Sequence, residues 1–281
     1  FGGSRRRAMV VTCHLGLEEV LAEEVRTMGA PVNAVHRGRV ETAGDETLLD
    51  RLLVGLRSAM RVLVPLASGP VGSRRDLYQL AAGVPWEQLV GAGQTIAVDA
   101  VGRSRALEHS GFAALVVKDA LVDRLRRTTG VRPDVDRRRP DLSVHLHLGG
   151  GHAPVSLDAC GEPLSHRGYR PRGGPAPLAE SLAAGLLLLA GYDGSQPLCD
   201  PMCGTGTFLA EAALIATRRA PGVTRPFAAE GWAGHRPALL AQVRESCRRR
   251  ERTPPAPILG ADRDPAAVRA AGRNLREAGV G

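Results

Sequence analysis

The chain has 281 residues, enough for two domains or about three small ones. Hydrophobic residues make up 43% and charged residues 23%, close to globular averages, which excludes wholesale disorder, collagen and coiled coil. No apolar run reaches the roughly 18–20 residues of a membrane span, and the arginines at 5–7 precede no signal-peptide core. We therefore expect a cytoplasmic protein without a membrane partner.

The charge points to a nucleic acid as the first partner to test. The chain carries 37 basic and 29 acidic residues, a net charge of +8, and every basic residue except Lys118 is arginine. Arginine presents a planar fork of donors that matches phosphate. A GC-rich genome would also replace lysine by arginine, but it would not explain the net charge. The five cysteines are scattered and lack zinc-ligand spacing, so we expect reduced thiols and no metal.

Hydrophobic spacing predicts a small α/β unit at the N-terminus. A strand at 9–12 precedes a helix whose apolar residues, from Leu17 to Met28, recur at steps of three and four before Gly29. A leucine-rich helix at 48–56 follows, and then a strand at 61–64. Residues 69–75 are expected to form the linker that leaves this unit.

A second α/β unit is predicted from about residue 76. It contains a strand at 95–101 and a helix at 110–127 that ends before Gly130. Strict alternation at 142–148 and again at 155–158 predicts a hairpin with one buried face. His145 and His147 share a face of it, as a metal pair would, but no third ligand is recognisable and a solvated or RNA-facing polar face is the commoner case.

The third region begins after a stretch rich in Gly, Pro and Arg at 161–177, and its pattern suggests a nucleoside site. An apolar helix at 178–190 leads to a short strand, the loop 200–206 and another apolar helix. Leu209 stands where a dehydrogenase would have its third glycine, and Asp200 would repel a pyrophosphate but favour a sulfonium or ammonium. A second strand ends at Asp262, which can hold two ribose hydroxyls, and Asp264 with Pro265 begins the next helix.

These motifs resemble the THUMP-domain, S-adenosylmethionine-dependent RNA guanine-N2 methyltransferases. The resemblance rests on the stretches 12–18, 110–120, 132–136, 166–170, 177–180, 200–207, 211–216 and 220–222. It implies an α/β protein with a ferredoxin-like subdomain at 8–66 and a THUMP RNA-binding domain at 67–157. A linker at 158–180 and the first part of a Rossmann-like methyltransferase domain at 181–281 would follow.

The resemblance also implies the site residues. Those expected to bind S-adenosylmethionine are Asp200, Pro201, Cys203, Gly204, Thr205, Gly206, Asp262 and Arg263, with Glu180, Arg167 and Tyr169 more loosely at the cofactor mouth. A solvated linker is the alternative interpretation of Arg167 and Arg170. Those expected to contact rRNA or tRNA are Arg103, Arg105, His109, Lys118, Arg137, Arg138 and Arg139.

One motif of the family is missing. Its members place an Asn- or Asp-Pro-Pro-aromatic motif at the end of the fourth strand, whereas the only Pro-Pro here, Pro254-Pro255, follows Thr253 and precedes the second strand. We therefore expect no catalytic residue in this span, a chain truncated at Gly281, and weak cofactor binding by the isolated chain. The alternative hypothesis is a noncatalytic RNA-binding protein with an incomplete or decayed cofactor domain.

Overall fold

The computed structural model describes residues 6–104, 107, 109–171 and 178–281. Its strands are β1 (Arg7–Cys13), β2 (Val32–His36), β3 (Arg39–Gly44), β4 (Ala59–Ala67), β5 (Ile96–Gly102), β6 (Leu142–Leu148), β7 (Val155–Asp158), β8 (Leu198–Asp200) and β9 (Ile258–Gly260). Its α-helices are α1 (Glu18–Thr27), α2 (Glu46–Gly55), α3 (Arg74–Ala82), α4 (Ser110–Thr129), α5 (Glu180–Leu189), α6 (Thr207–Ala216), α7 (Pro237–Arg248) and α8 (Pro265–Glu277). Within the described ranges, none of these helices combines the length and the apolarity needed to cross a membrane.

The chain forms two compact units. Unit 1 contains the described residues up to Val10, those of 62–162, and 227–236. Unit 2 contains residues 11–61, the described residues of 163–226, and 237–281. The predicted α/β class is confirmed, since both units contain strands and helices.

Unit 1 is a sheet with helices. Its strands lie in the order β4-β7-β6-β5, with β5 and β6 parallel and the other pairs antiparallel. Helix α4 packs on β5 and α3 packs on α4. The His109 side chain accepts a hydrogen bond from the Phe112 N–H at the start of α4, and Gly130 ends the helix in the left-handed region at φ 73°. Both ends of α4 were therefore predictable from local signals.

The β6–β7 hairpin is confirmed, but the prediction of a single buried face is wrong. Every residue of β7 is buried, and in β6 only His147 is exposed. The reason is that β6 and β7 are inner strands, and residues 228–231, a 3-10 helix distant in sequence, pack against β6. His145 is buried while His147 is exposed. No group of three metal-ligand residues occurs among the residues that the structure describes.

The strand–helix–strand prediction for the N-terminal region omitted two strands. The antiparallel hairpin of β2 and β3 lies between α1 and α2, and β1 is the next strand beside β3. The predicted linker at 69–75 is too long, because Arg74 and Arg75 already belong to α3, whose first turn is capped by the Ser73 hydroxyl. Helix α7 was also missed, since only Leu240, Val243 and Cys247 of its twelve residues are buried.

The C-terminal part of unit 2 places the candidate site. Strands β8 and β9 pair in parallel, with Asp200 opposite Gly260. Helix α6 is buried along nearly its whole length and packs against α5, α8 and both strands. Gly260 allows this packing, because a Cβ there would lie 2.2 Å from a Leu209 methyl carbon. The carboxyl ends of β8 and β9 therefore lie side by side.

Candidate functional site

The loop that joins β8 to α6 is fixed to the end of β9. The Cys203 N–H donates to the Ala261 carbonyl at 2.9 Å, and the Ala261 N–H donates to the Asp200 carbonyl at 2.9 Å. The Asp200 carboxylate closes a turn by accepting from the Met202 N–H at 3.1 Å. These bonds hold residues 200–204 in one conformation beside Asp262.

The two glycines of the loop have different environments. Gly204 has φ 53°, and a Cβ built on it would meet no atom within 4 Å. Gly206 has φ 81°, but its Cβ would lie 2.8 Å from the Cβ of Ala271, so it lets the start of α6 approach α8. Only Gly204 therefore leaves open space beside the backbone, where a ligand can approach closely.

Asp262 bridges the two strand ends. Its Oδ2 accepts from the Gly204 N–H at 2.9 Å and its Oδ1 accepts from the Asp264 N–H at 2.9 Å. The N–H groups of Asp264 and Gly204 hold the pKa of Asp262 below its usual value. Each carboxylate oxygen has a second lone pair. An ionised, oriented carboxylate at this position can accept both hydroxyls of a ribose.

Cys203 is a neutral thiol rather than a nucleophile. Burial, together with the charges of Asp200 and Asp262, raises the pKa of Cys203. A nucleophilic cysteine needs the opposite shift, toward the thiolate. The arrangement of the loop is therefore suited to binding and orienting a ligand, and not to covalent catalysis through this thiol.

Asn274, a residue not predicted from the sequence, holds the loop from the other side. Asn274 is buried on α8, and its Nδ2 donates to the Thr205 carbonyl at 2.8 Å. The sequence signal that could have indicated this role is an amide side chain on the apolar face of the amphipathic helix α8. Of the other predicted loop residues, Thr205 is partly buried, and Pro201 and Arg263 are exposed beside it.

Glu180 is joined to the start of α6 through Arg170. The Arg170 guanidinium lies 2.8 Å from Glu180 Oε1, and its Nη1 donates to the Thr207 hydroxyl at 3.1 Å. Both side chains of the pair are largely buried. The structure thus brings Glu180 to the helix that follows the glycine loop.

Arg167 and Tyr169 contact Glu211, which lies one turn beyond Thr207 on α6. Tyr169 donates to Glu211 Oε1 at 3.0 Å, and Arg167 contacts both carboxylate oxygens at 3.4 and 3.5 Å. Arg167 also donates to the carbonyls of Leu164 and Arg57. Because Arg167 and Arg170 are both bonded and mostly buried, the solvated-linker interpretation is wrong.

The predicted RNA-contacting residues of unit 1 do not form one patch. Arg103 follows the carboxyl end of β5, whereas Asp136, next to the exposed Arg137–Arg139, donates its N–H to Ile96 at the other end. Seven residues of strand separate these ends by about 20 Å. His109 caps α4, and Lys118, further along α4, pairs with Asp119 at 2.9 Å. Arg105 lies outside the described residues.

Three family models match the chain in succession. They are a ferredoxin-like domain at residues 8–63, a THUMP domain at 73–158 and an RMKL-like methyltransferase domain at 167–281. These matches follow one another in the order that the resemblance to THUMP-domain methyltransferases predicts.

Curated relatives carry the name ribosomal RNA large subunit methyltransferase K/L. The protein from Pseudomonas aeruginosa is 41% identical over 282 residues, which cover 97% of this chain, and the one from Syntrophotalea carbinolica is 42% identical over 277 residues, which cover 96%. In each case the match covers 39% of the relative, so the chain spans well under half the length of these proteins.

Two solved structures match almost the whole chain. A Listeria monocytogenes protein described as a predicted N6-adenine-specific DNA methylase has a TM-score of 0.88 at 28% identity. SMU.472, a methyltransferase complexed with SAH, has a TM-score of 0.86 at 29% identity. Each match covers 99% of this chain, and 73% and 74% of the respective relative.

Proposed function

We propose that the chain is the RNA-binding and cofactor-binding part of a ribosomal RNA methyltransferase. The methyl donor is S-adenosylmethionine, and the acceptor is the exocyclic N2 of a guanosine. The curated relatives are named as large-subunit rRNA methyltransferases, and one solved relative is a complex with SAH. The domain limits at 66, 157 and 180 stay predictions, as does the assignment of individual site residues.

The observation that carries this proposal is the Asp262 carboxylate bonded to Gly204. It places an ionised acid beside a glycine whose Cα faces open space, at the carboxyl ends of two parallel strands. Ligands of α/β folds bind at this edge of the sheet. The combination of two acids, Asp262 and Asp200, with the Gly204 backbone fits a ribose next to a cationic sulfonium.

In this assignment Asp262 binds the ribose hydroxyls, and Gly204 allows close approach of the methionine portion. The carboxylate of Asp200 favours the sulfonium, and the free N–H groups at the start of α6 favour an anionic carboxylate. Pro201, Cys203, Thr205, Gly206 and Arg263 complete the loop around it. The bound cofactor supplies an electrophilic methyl group, and the protein contributes by orienting the acceptor amine toward it.

Glu180, Arg170, Arg167 and Tyr169 act from behind this loop. Glu180 pairs with Arg170, which bonds Thr207, and Arg167 and Tyr169 bond Glu211, so the group holds the helix whose start forms the site. On the RNA side we assign phosphate contacts to Arg103, Arg105, His109, Lys118 and Arg137–Arg139. Their exposure ranges from partial for Lys118 to high for Arg137–Arg139, within the described residues.

The test measures methyl transfer by the gene product that contains these 281 residues. Labelled S-adenosylmethionine is offered with unmodified large-subunit rRNA, with tRNA and with duplex DNA. We expect label in rRNA, recovered as N2-methylguanosine after nuclease digestion. Label in DNA adenine alone, or in tRNA alone, would reject the rRNA assignment, and RNA binding without any transfer would support the noncatalytic alternative.

Asp262→Asn tests the cofactor site separately from RNA binding. We expect it to abolish transfer while RNA affinity stays unchanged. The matched control is Asp193→Asn, because Asp193 is also a loop carboxylate that bonds a local backbone N–H, here that of Ser195 at 2.8 Å. Equal activity of the two variants would contradict the assignment of Asp262.

A further inference from the structure

Six arginines of unit 2 come together at the ends of α6 and α7. The arginine cluster consists of Arg218 and Arg219, which follow α6, and Arg248, Arg249, Arg250 and Arg252 at and after the end of α7. The Arg252 N–H donates to the Thr217 carbonyl at 2.9 Å, and its Nε donates to the Ala216 carbonyl at 2.9 Å. Arg219 pairs with Glu251 at 2.8 Å. These contacts join two segments that are about thirty residues apart in sequence.

The positive charge of the arginine cluster is only partly compensated. Glu251 pairs with Arg219, and Glu245 pairs with Arg249 in an exposed contact at 3.0 Å. Asp193 also interacts electrostatically with Arg252, so three acids stand against six arginines and the local charge is about +3. The exposed side chains of Arg218 and Arg248 form no hydrogen bond or ion pair with any described residue. Two guanidinium groups are therefore open to a partner.

Arg218 occupies a backbone position at which arginine is unfavourable. Its φ is 57°, and it is the only non-glycine residue with positive φ among those described. It directly follows Thr217, the C-cap of α6, at the position where helices most often place a glycine. A glycine would adopt this conformation without strain. An arginine in this strained conformation points to a use for its charge.

The composition of the surface favours phosphate over a protein partner. None of the exposed large hydrophobic residues belongs to segments 217–219 or 248–255. The buried centres of protein interfaces are enriched in aromatic and apolar side chains, whereas phosphate recognition uses guanidinium groups. Two segments rich in arginine and free of large apolar side chains fit a chain of phosphates.

We propose that the arginine cluster binds the phosphate backbone of the RNA substrate from the methyltransferase side. This inference rests on the proposed function and adds to it a contact surface outside unit 1. Arg219, Arg250 and Arg252 have bonds within the fold, the last two to the carbonyls of Ser246 and Ala216. The residues to substitute are therefore Arg218 and Arg248, together with Arg249, whose pair with Glu245 is exposed.

The experiment measures binding of the 281-residue chain to an unmodified RNA stem–loop at several salt concentrations. The variants are Arg218→Gly and the double variant Arg248→Gln with Arg249→Gln. We expect the double variant to lower RNA affinity about tenfold at low salt, and to reduce the slope of log affinity against log salt by about 1–2. Arg26→Gln is the control, because Arg26 is an exposed arginine of unit 2 with an exposed acidic partner, Glu23.

Arg218→Gly tests the proposal in a variant that we expect to fold normally. Glycine removes the strain at this φ, so we expect an unchanged or higher melting temperature together with weaker RNA binding. If Arg218 had only a structural role, its replacement would not give a more stable protein whose RNA affinity depends less steeply on salt. Unchanged RNA affinity in both cluster variants would overturn the inference.

Further outcomes separate this inference from the proposed function. If the unsubstituted chain does not bind the stem–loop even at low salt, the proposed function itself fails. If it binds and the cluster variants bind equally well, only the arginine cluster is wrongly assigned. Loss of binding to phosphatidylserine vesicles with unchanged RNA affinity would assign the surface to a membrane and would also overturn it.

Discussion

Glu211 and Asp262, two acids of unit 2, show how one functional group serves two purposes. The Glu211 side chain has no solvent exposure, and its two oxygens accept from Tyr169 and from Arg167. Asp262 is partly exposed, and both of its protein donors are backbone N–H groups. A buried carboxylate whose partners are side chains stabilises the fold. A carboxylate oriented by the backbone and open to solvent is available for a ligand.

The largest expected effect comes from removing the buried acid. Glu211→Ala leaves Arg167 buried with its carbonyl partners but without a counter-charge, which we expect to lower the free energy of unfolding by about 3–5 kcal/mol. Urea denaturation followed by far-UV circular dichroism measures it. Glu245→Ala is the control, because its pair with Arg249 is exposed and contributes about 1 kcal/mol or less. Similar losses in the two variants would remove the distinction between buried and exposed acids.

A second comparison sets the two loop glycines against each other. Gly206→Ala forces an alanine into the left-handed conformation and makes its Cβ clash with Ala271. We expect the two effects together to cost about 2–4 kcal/mol of stability. Gly204→Ala adds only the backbone strain, about 1–2 kcal/mol, but it places a methyl group in the open space beside the loop. Thermal unfolding and binding of S-adenosylhomocysteine measure the two effects. Gly204→Ala with full affinity would show that no ligand approaches at that position.

The third prediction concerns Asp262 itself. Asp262→Asn keeps the shape of the side chain, but its NH2 group cannot accept one of the two backbone hydrogen bonds, so we expect a moderately lower melting temperature. We also expect about tenfold or greater loss of affinity for S-adenosylhomocysteine. Calorimetric titration of the gene product that contains these residues measures it. An affinity equal to that of Asp193→Asn would show that Asp262 serves the loop and not the ligand.

The parts of the fold predicted from sequence are those with local signals. Helix α4 was placed to within two residues of its end by Ser110 and Gly130, and α8 was placed by Asp264 and Pro265. The hairpin of β2 and β3 was missed because β2 has no fully buried residue and β3 alternates between partial and full burial without a strong apolar pattern. Helix α7 was missed because most of it faces solvent.

The candidate site divides in the same way. The loop at 200–206 and Asp262 lie directly after two strands, so sequence order alone indicated them. The Glu211 contacts join residues that are 42 and 44 positions apart, and no local pattern reports such a pair. Asn274 lies 69 positions from the carbonyl that it bonds. Long-range polar contacts of buried groups were the part that sequence reasoning could not supply.

The smallest expected effect tests a pair of intermediate exposure, Glu87 and Arg124 of unit 1. Their side chains are about one quarter exposed, and Arg124 binds both carboxylate oxygens at 2.8 and 2.9 Å. This hydrogen bonding lowers the pKa of Glu87 from 4.5 to about 2. Because the folded state prefers the ionised form, the pair stabilises unit 1 fully above about pH 4.5 and loses this contribution as the pH falls toward 2.

Tryptophan fluorescence can follow this loss in unit 1 alone, since both tryptophans, Trp86 and Trp232, belong to that unit. We expect the urea midpoint of the unsubstituted chain to fall between pH 5 and pH 3 more steeply than that of Glu87→Gln. The difference between the two proteins cancels the titration of other carboxylates. Parallel pH dependences would show that this partly exposed ion pair contributes no more to stability than a solvated one. Glu87 would then not be intermediate between Asp262 and the stabilising, buried Glu211.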